Sequence, residues 1–175
     1  MKVITISGHA EAGKDTVAKQ IKKQLRDFQF NKRVIIIHYA DLLKYICKQY
    51  FGWDGKKDEN GRALLQYIGT DIVRNKDENF WVSFVSKILE MFENEWDYVL
   101  IPDCRFPNEA TTMKCEFDAL NICVIRPGYQ NHLTAEQRMH PSETAMDDFK
   151  FDYVINNPGT EGLADNVKEF IRRCL

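Results

Sequence analysis

A short apolar run, Val3-Ile4-Thr5-Ile6, leads directly into Gly8-His9-Ala10-Glu11-Ala12-Gly13-Lys14. From Lys14 onward the apolar residues Val17, Ala18, Ile21, Leu25 and Phe28 recur at helical spacing, with Lys and Gln between them. A buried strand, a glycine-bearing loop and an amphipathic helix in that order leave few folds open. They place the pattern G-x-x-x-x-G-K in the context that gives it meaning. The glycines let the backbone curl until its N–H groups face phosphate oxygens. The helix N-terminus adds a partial positive charge, and Lys14 reaches the outer phosphates. Gly8, His9, Ala10, Glu11, Ala12, Gly13 and Lys14 are the candidate phosphate loop.

The position after the lysine usually carries Ser or Thr, whose hydroxyl holds Mg²⁺. Here it is Asp15, followed by Thr16. A carboxylate is a hard oxygen ligand and can serve Mg²⁺ directly or through water. The other reading makes Asp15 a helix cap and leaves the metal to Thr16 or water. Either way the substitution disfavours an ordinary GTPase.

The rest of the chain alternates strands and helices. Strands are expected at Val34 to Tyr39, Tyr98 to Pro102, Ala119 to Ile125 and Tyr153 to Ile155. Helices are expected at Ala40 to Phe51, about Arg62 to Arg74, Asn79 to Glu93, Asn108 to about Cys115, and after a Thr160 cap. Leu42, Leu43, Ile46, Cys47 and Tyr50 form the inward face of the first of these. Leu163, Val167, Phe170 and Ile171 form that of the last. The alternation defines an α/β fold with a five-stranded, mostly parallel sheet, and the continuous apolar strands suit burial on both faces. Two stretches exceed plain connections: a helical one at about 40–95 and a polar one at about 127–149. Such excursions near strand ends commonly carry substrate and lid elements.

The 175 residues suit a single domain, 1–175. Lys and Arg total 24 against 26 Asp and Glu, a net charge of -2, which argues against a bulk nucleic-acid binder. The longest aliphatic run, Val34 to Ile37, falls far short of the ~20 residues of a membrane span, and the N-terminus has no secretory pattern. The five cysteines are an odd number without a C-x-x-C pair, which suits reduced thiols in a cytoplasmic protein. Cys47, Cys115, Cys123 and Cys174 read as apolar structural residues. Cys104 lies beside a candidate site segment.

Several polar residues fall where a second substrate would sit. Asp41 ends the second strand, as a helix cap or a substrate contact, with Lys44 three residues on. Arg62, Gln66 and Thr70 recur on one helical face, either solvated or aimed at a phosphate and a base edge. Trp81 is either core or a stacking surface. Asp103 falls at the carboxyl end of an apolar strand, the end that faces the ligand crevice of a parallel sheet, and Arg105 follows it. In the polar stretch, Thr134-Ala135-Glu136-Gln137 fits a capping box, and Arg138 falls on the short helix it starts. Arg126 ends the fourth strand. Asn157 either lines an adenine pocket or belongs to a turn.

Gly13-Lys14-Asp15-Thr16-Val17-Ala18, Tyr39-Ala40-Asp41, Leu65-Gln66-x-x-Gly69-Thr70 with Arg74, Phe80-Trp81-Val82 and Asp103-x-Arg105-Phe106-Pro107-Asn108-Glu109 together resemble the deoxynucleoside monophosphate kinase family of phages and bacteria. His140-Pro141-Ser142-Glu143 and Asp152-Tyr153-Val154-Ile155-Asn156-Asn157-x-Gly159-Thr160 are similar too. The resemblance implies a three-layer P-loop kinase fold like adenylate kinase, with a helical acceptor-binding insertion and a mobile lid. It implies phosphoryl transfer from ATP, with Mg²⁺, to a nucleoside monophosphate. Kinases of phosphomevalonate and dephospho-coenzyme A share parts of the pattern. A non-catalytic nucleotide-binding module is the reading from another class.

Within that family Lys14, Asp103 and Arg138 are the expected catalytic residues. Residues 8–16 with Arg126 and Asn157 would bind ATP. Asp41, Lys44, Arg62, Gln66, Thr70, Arg74, Trp81 and Arg105 would bind the acceptor, and Asp15, Thr16 and Asp103 the metal. The expected partners are small nucleotides, without nucleic acid or membrane, and a homodimer is compatible with the sequence.

Overall fold

The computed structural model describes residues 1–28, 32–159 and 161–175, with the side chain of Phe28 outside the description. Among the described residues, five strands form one all-parallel sheet in the order β2-β3-β1-β4-β5. They are β1 (Lys2–Ser7), β2 (Val34–Ile36), β3 (Tyr98–Ile101), β4 (Leu120–Ile125) and β5 (Tyr153–Asn156). β1 is central. It pairs with β3 through Lys2↔Tyr98 to Thr5↔Ile101 and with β4 through Ile4↔Leu120 to Ser7↔Cys123.

The continuous apolar strands serve two cores because successive side chains point to opposite faces. Ile4, Ile6, Leu100, Ile122, Val124 and Ile155 pack against α1 (Lys14–Phe28) and α8 (Leu163–Cys174). From α1 come Val17, Ala18, Ile21 and Leu25; from α8 come Leu163, Val167 and Phe170. The alternate residues Val3, Val99 and Ile101 face α2 (Ala40–Tyr50), α4 (Phe80–Met91) and α5 (Pro107–Phe117). Two helical layers thus sandwich the sheet. The reversal of strand order on either side of β1 opens a crevice at the carboxyl ends of β1, β3 and β4.

Several expectations change at element ends. β2 is only three residues long, and the chain continues past it with the Ile37 N–H still bonded to Leu100 O at 3.1 Å. Asp41 does not cap α2. It lies in the first turn, and its carboxylate accepts the His38 N–H at 3.0 Å. The cap comes from β3: the two Asp103 carboxylate oxygens accept the N–H groups of Tyr39 and Ala40, each at 3.0 Å. Tyr50, read as inward, is 72% exposed at the end of α2.

The single helix expected at 62–74 is two pieces. α3 (Glu59–Gln66) starts on Asp58, whose side chain accepts the Gly61 N–H. It runs into a π-helical stretch, Tyr67–Arg74. Gly69 permits that stretch to pack closely on α2, since a Cβ there would lie 2.7 Å from Leu43 Cδ2. The polar stretch forms α6 (Ala135–Met139), started by the expected Thr134/Gln137 capping box, and α7 (Pro141–Thr144). α8 begins after Gly162; Thr160, read as its cap, lies outside the described residues.

The cysteines also differ from expectation. Cys104 and Cys47 are buried, Cys123 and Cys174 are half-buried, and Cys115 is exposed. Burial pushes the Cys104 and Cys47 thiols upward, which makes them poor nucleophiles.

Gly8 fixes the junction of β1 and the loop. Its φ is +137°, and a Cβ there would sit 2.3 Å from Val124 O. Gly8→Ala is expected to lower unfolding stability by at least the ~1–3 kcal/mol of a strained backbone position. Urea denaturation measures it, and an unchanged midpoint would contradict so tight an approach to β4.

Candidate nucleotide site

Residues 8–13 fold back over the N-terminus of α1. Within the loop the Ala12 N–H bonds His9 O at 3.2 Å. Asn157, beyond β5, donates its side-chain N–H to Ala12 O at 2.8 Å and is buried. A Cβ on Gly13 would fall 2.2 Å from that amide nitrogen, so Asn157 braces the loop from behind. Lys14 folds inward, its ammonium donating to Gly8 O at 2.7 Å and His9 O at 2.9 Å. Burial, and secondarily Arg105, lower its pKa to about 8, against the attraction of Glu143, Asp103 and Asp15. The phosphate loop, the segment after β3 and the 127–149 stretch therefore all bear on this one ammonium.

Glu143 of α7 completes the convergence. Its Oε2 accepts the Ala10 N–H at 2.9 Å, and its Oε1 pairs with the Arg105 guanidinium. Arg105 also donates to Ser142 O at 2.9 Å.

Glu11 is a second junction. It holds φ +64°, rare for a residue with a side chain. Its carboxylate accepts from Arg62 of α3 at 3.2 Å, and from the Tyr129 hydroxyl, the His132 N–H and the His132 ring at 2.9–3.2 Å. These bonds, led by the His132 ring, hold its pKa down. Arg126 lies 4.0 Å over the Tyr129 ring and donates to Glu11 O at 3.5 Å. α3, the phosphate loop and the start of the 127–149 stretch meet at this carboxylate.

The exposed flank of α1 carries Asp15, whose Oδ1 lies 2.8 Å from His38 Nε2. Asp41 lies 3.4 Å from the other ring nitrogen and 3.0 Å from Lys44. Lys57 adds a cation here: burial first, then Lys44, lower its pKa, with Arg105 and Arg62 contributing. Thr16 is exposed, and Gln66 and Thr70 are half-buried. Arg138 is exposed, with its guanidinium turned back onto Leu133 O at 2.9 and 3.1 Å.

Two expected acceptor residues are drawn into the protein. Trp81 is 4% exposed in the core, its indole N–H donating to Gly69 O at 2.9 Å, so it offers no face for stacking a base. Arg74 forms a buried pair with Glu109, bonds Asn108 Oδ1 at 3.0 Å and covers the Phe106 ring. Glu109 in turn accepts the N–H groups of Arg105 and Phe106 at 2.8 and 3.1 Å. Burial pushes its pKa up to about 7, with Arg74 opposing. Arg74 thus supports the segment that presents Arg105.

Sequence reading passed over His38, Lys57 and the role of Glu143. The spacing of His38 and Asp41 was visible. Contacts between chain segments as distant as Ala10 and Glu143 leave no local signal.

Among the described residues no three His, Cys, Asp or Glu side chains converge into a ready-made metal centre. Mg²⁺ nevertheless fits the donor set. It is satisfied by few protein oxygens plus water and phosphate. Asp15 is 60% exposed beside the loop and is held anionic by His38.

The solved structures similar to this chain share its architecture at low sequence identity. An APS kinase of Mycobacterium tuberculosis, in a complex with AMPPNP and APS, superposes with a TM-score of 0.53 at 11% identity over 98% of this chain and 95% of that one. A shikimate kinase of Aquifex aeolicus gives 0.50 at 13% identity over 98% and 95%. The fold is therefore that of the P-loop kinases. Residues 51–167 match the family model described as deoxynucleotide monophosphate kinase, and the chain belongs to that family.

Two relatives bear the same description. That of Enterobacteria phage T4 is 33% identical over 114 residues, covering 63% of this chain and 45% of that protein. That of Escherichia phage RB69 is 30% identical over 114 residues, covering 63% and 44%. The chain thus aligns with less than half the length of either phage relative. A protein of Acanthamoeba polyphaga mimivirus, given the name provisionally, is 28% identical over the whole of this chain and 95% of its own length. No described helix is long and apolar enough to cross a membrane.

The Asp15–His38 pair makes the site sensitive to pH. Asp15 raises the His38 pKa above 6.5, and His38 lowers that of Asp15 below 3.8. The histidine's contribution is complete below pH 6.5 and is lost as pH rises through its raised folded value. The carboxylate's contribution is present above pH 3.8 and is lost as pH falls through its lowered value. The pair is therefore strongest between these two ordinary values. An NMR titration is expected to find His38 titrating above 6.5 and moving back toward it in Asp15→Asn. A wild-type His38 titrating at or below 6.5 would contradict the pairing.

Proposed function

We propose that this chain transfers the γ-phosphoryl group of ATP to a deoxynucleoside monophosphate. A phosphate oxygen of the acceptor attacks the γ-phosphorus. The bond from γ-phosphorus to the β–γ bridging oxygen breaks, and ADP leaves with its electron pair, giving a deoxynucleoside diphosphate. The observation that carries the reading is the meeting of the Ala10 N–H and Arg105 around one carboxylate: a loop suited to a donor phosphate and an arginine suited to an acceptor phosphate face the same anion.

In this reading the N–H groups of residues 8–14 hold the ATP phosphates, and Lys14 swings from its loop carbonyls to the outer oxygens. Arg105 and Arg62 hold the acceptor phosphate, with Lys44 and Lys57 adding positive field nearby. Gln66 and Thr70 line the acceptor side. Arg138 leaves Leu133 O to neutralise charge on the transferring group once the lid closes, and Arg126 assists from the end of β4. An acceptor phosphate is already ionised and needs no strong base, so Asp103 serves by orienting rather than by taking a proton. Asp15, with Thr16 or Asp103, would hold Mg²⁺, which when bound spreads charge across the β- and γ-oxygens. The family description supports the deoxynucleotide acceptor over phosphomevalonate or dephospho-coenzyme A. Free, mostly buried or half-buried cysteines suit a reducing cytoplasm.

ADP release from Mg·ATP with a panel of dNMPs and NMPs tests the proposal. Turnover is expected with one or a few dNMPs, and Lys14→Ala is expected to lower kcat by about 100-fold or more, the scale of losing one preorganised charge donor. Turnover with no nucleotide, or equal turnover in Lys14→Ala, would overturn it.

A further inference from the structure

A loop whose N–H groups and lysine are arranged for an anion already faces one, supplied by its own lid. The Glu143 side chain is 6% exposed, and both oxygens engage the site: one accepts the Ala10 N–H at 2.9 Å and the other pairs with Arg105. Lys14 feels its attraction. A carboxylate this buried persists only where charged partners and donors compensate its lost hydration, and the partners here are those a phosphate would use.

The surroundings allow exchange. A phosphate group brings more negative charge than a carboxylate and offers more acceptor oxygens to the Ala10 N–H, to Arg105 and to Lys14. Arg105 is one-third exposed, with room to turn. α7 is a single turn of four residues, and its Ser142 N–H donates to the His140 ring at 3.2 Å. The lid base is tied separately, through Tyr129 and His132 on Glu11. The single turn carrying Glu143 can therefore swing out between the attached base and Met146, which is buried in the core.

We propose that Glu143 is a built-in occupant of the phosphate site: its carboxylate fills the loop's anion position in the free chain, the donor phosphate displaces it, and the displacement frees Arg105 for the acceptor. The inference rests on the kinase reading and goes beyond it. Donor and acceptor binding are then coupled through one arginine. The free chain binds each nucleotide more weakly than the same site would without the carboxylate, because only the fraction with Glu143 withdrawn is competent.

Calorimetric titration of the full chain, Glu143→Gln and Glu143→Asp with AMPPNP and with dTMP and dGMP tests this. Gln keeps the shape without the charge, and Asp keeps the charge but shortens the reach to Ala10. AMPPNP is expected to bind about tenfold tighter to Glu143→Gln than to wild type, as for an occupied fraction of about nine-tenths. AMPPNP is expected to tighten binding of the preferred dNMP severalfold in wild type and not in Glu143→Gln. Thermal melting without ligand checks that the variants fold. Tripolyphosphate should raise the Tm of Glu143→Gln more than that of wild type. Equal or weaker AMPPNP binding in both variants, with the coupling unchanged, would overturn the inference and leave the kinase reading standing. No AMPPNP binding by any of the three proteins would overturn both.

Discussion

A methyl group on Gly8 would sit 2.3 Å from the carbonyl oxygen of Val124, and one on Gly13 would sit 2.2 Å from the side-chain nitrogen of Asn157. These two approaches bind the loop between β1 and α1 to β4 and to the segment after β5. The loop is held on the scaffold by these approaches, and its Ala10 N–H meets the Glu143 carboxylate. The remaining site features take their positions from that fixed edge. Lys14 lies against the loop carbonyls, Glu143 reaches the Ala10 N–H, and Glu11 bonds Arg62 of α3 and also Tyr129 and His132. The scaffold behind it is stiff for an ordinary reason: Ile4, Ile6, Val124 and Phe170 are buried in one close-packed core.

Around the loop, carboxylates keep cations in waiting. Glu143 holds Arg105, Glu11 holds Arg62, and Asp15 holds His38. Each of these cations is partly accessible, so another anion can reach it from solvent, although the Glu143 carboxylate itself is 6% exposed and leaves only when its hydration is restored. Arg74 and Glu109 are the contrast. Both are nearly inaccessible, and breaking such a pair strands a buried charge. Accessibility separates arginines suited to meeting a nucleotide from one that shapes the protein. Asp103 stands between these cases: it caps α2 through two N–H groups and yet lies in the field of Lys14. It ties the start of α2 to the segment after β3 that carries Arg105.

The parts of the fold that are local in sequence were legible. Hydrophobic period marked α1, β1, β4 and α8, and the glycine–lysine pattern marked the loop, because propensity and burial there point the same way. The capping box at Thr134 was legible for the same reason. What failed depended on distant partners. Asp41 has the right chemistry for a cap, but Asp103, arriving from β3, takes the N–H groups first. Trp81 and Arg74 have suitable types for a nucleotide site, but Gly69 and Glu109 satisfy their polar groups inside the protein. No spacing rule announces a carboxylate at 143 meeting an amide at 10. The π-helical stretch was hidden as well, since its turns follow from close packing of Gly69 on Leu43 rather than from composition.

The central claim is that donor and acceptor phosphates meet between the loop and Arg105. A bisubstrate analogue, adenosine joined through five phosphates to the deoxynucleoside of the preferred acceptor, measures it directly. Linking two ligands whose sites are adjacent adds their binding energies without a second loss of translational freedom. The account predicts that the analogue binds at least 100-fold tighter than AMPPNP or the dNMP alone, with most of that gain lost in Arg105→Ala. An analogue that binds no tighter than AMPPNP, with or without Arg105, would show that the two phosphates do not meet there.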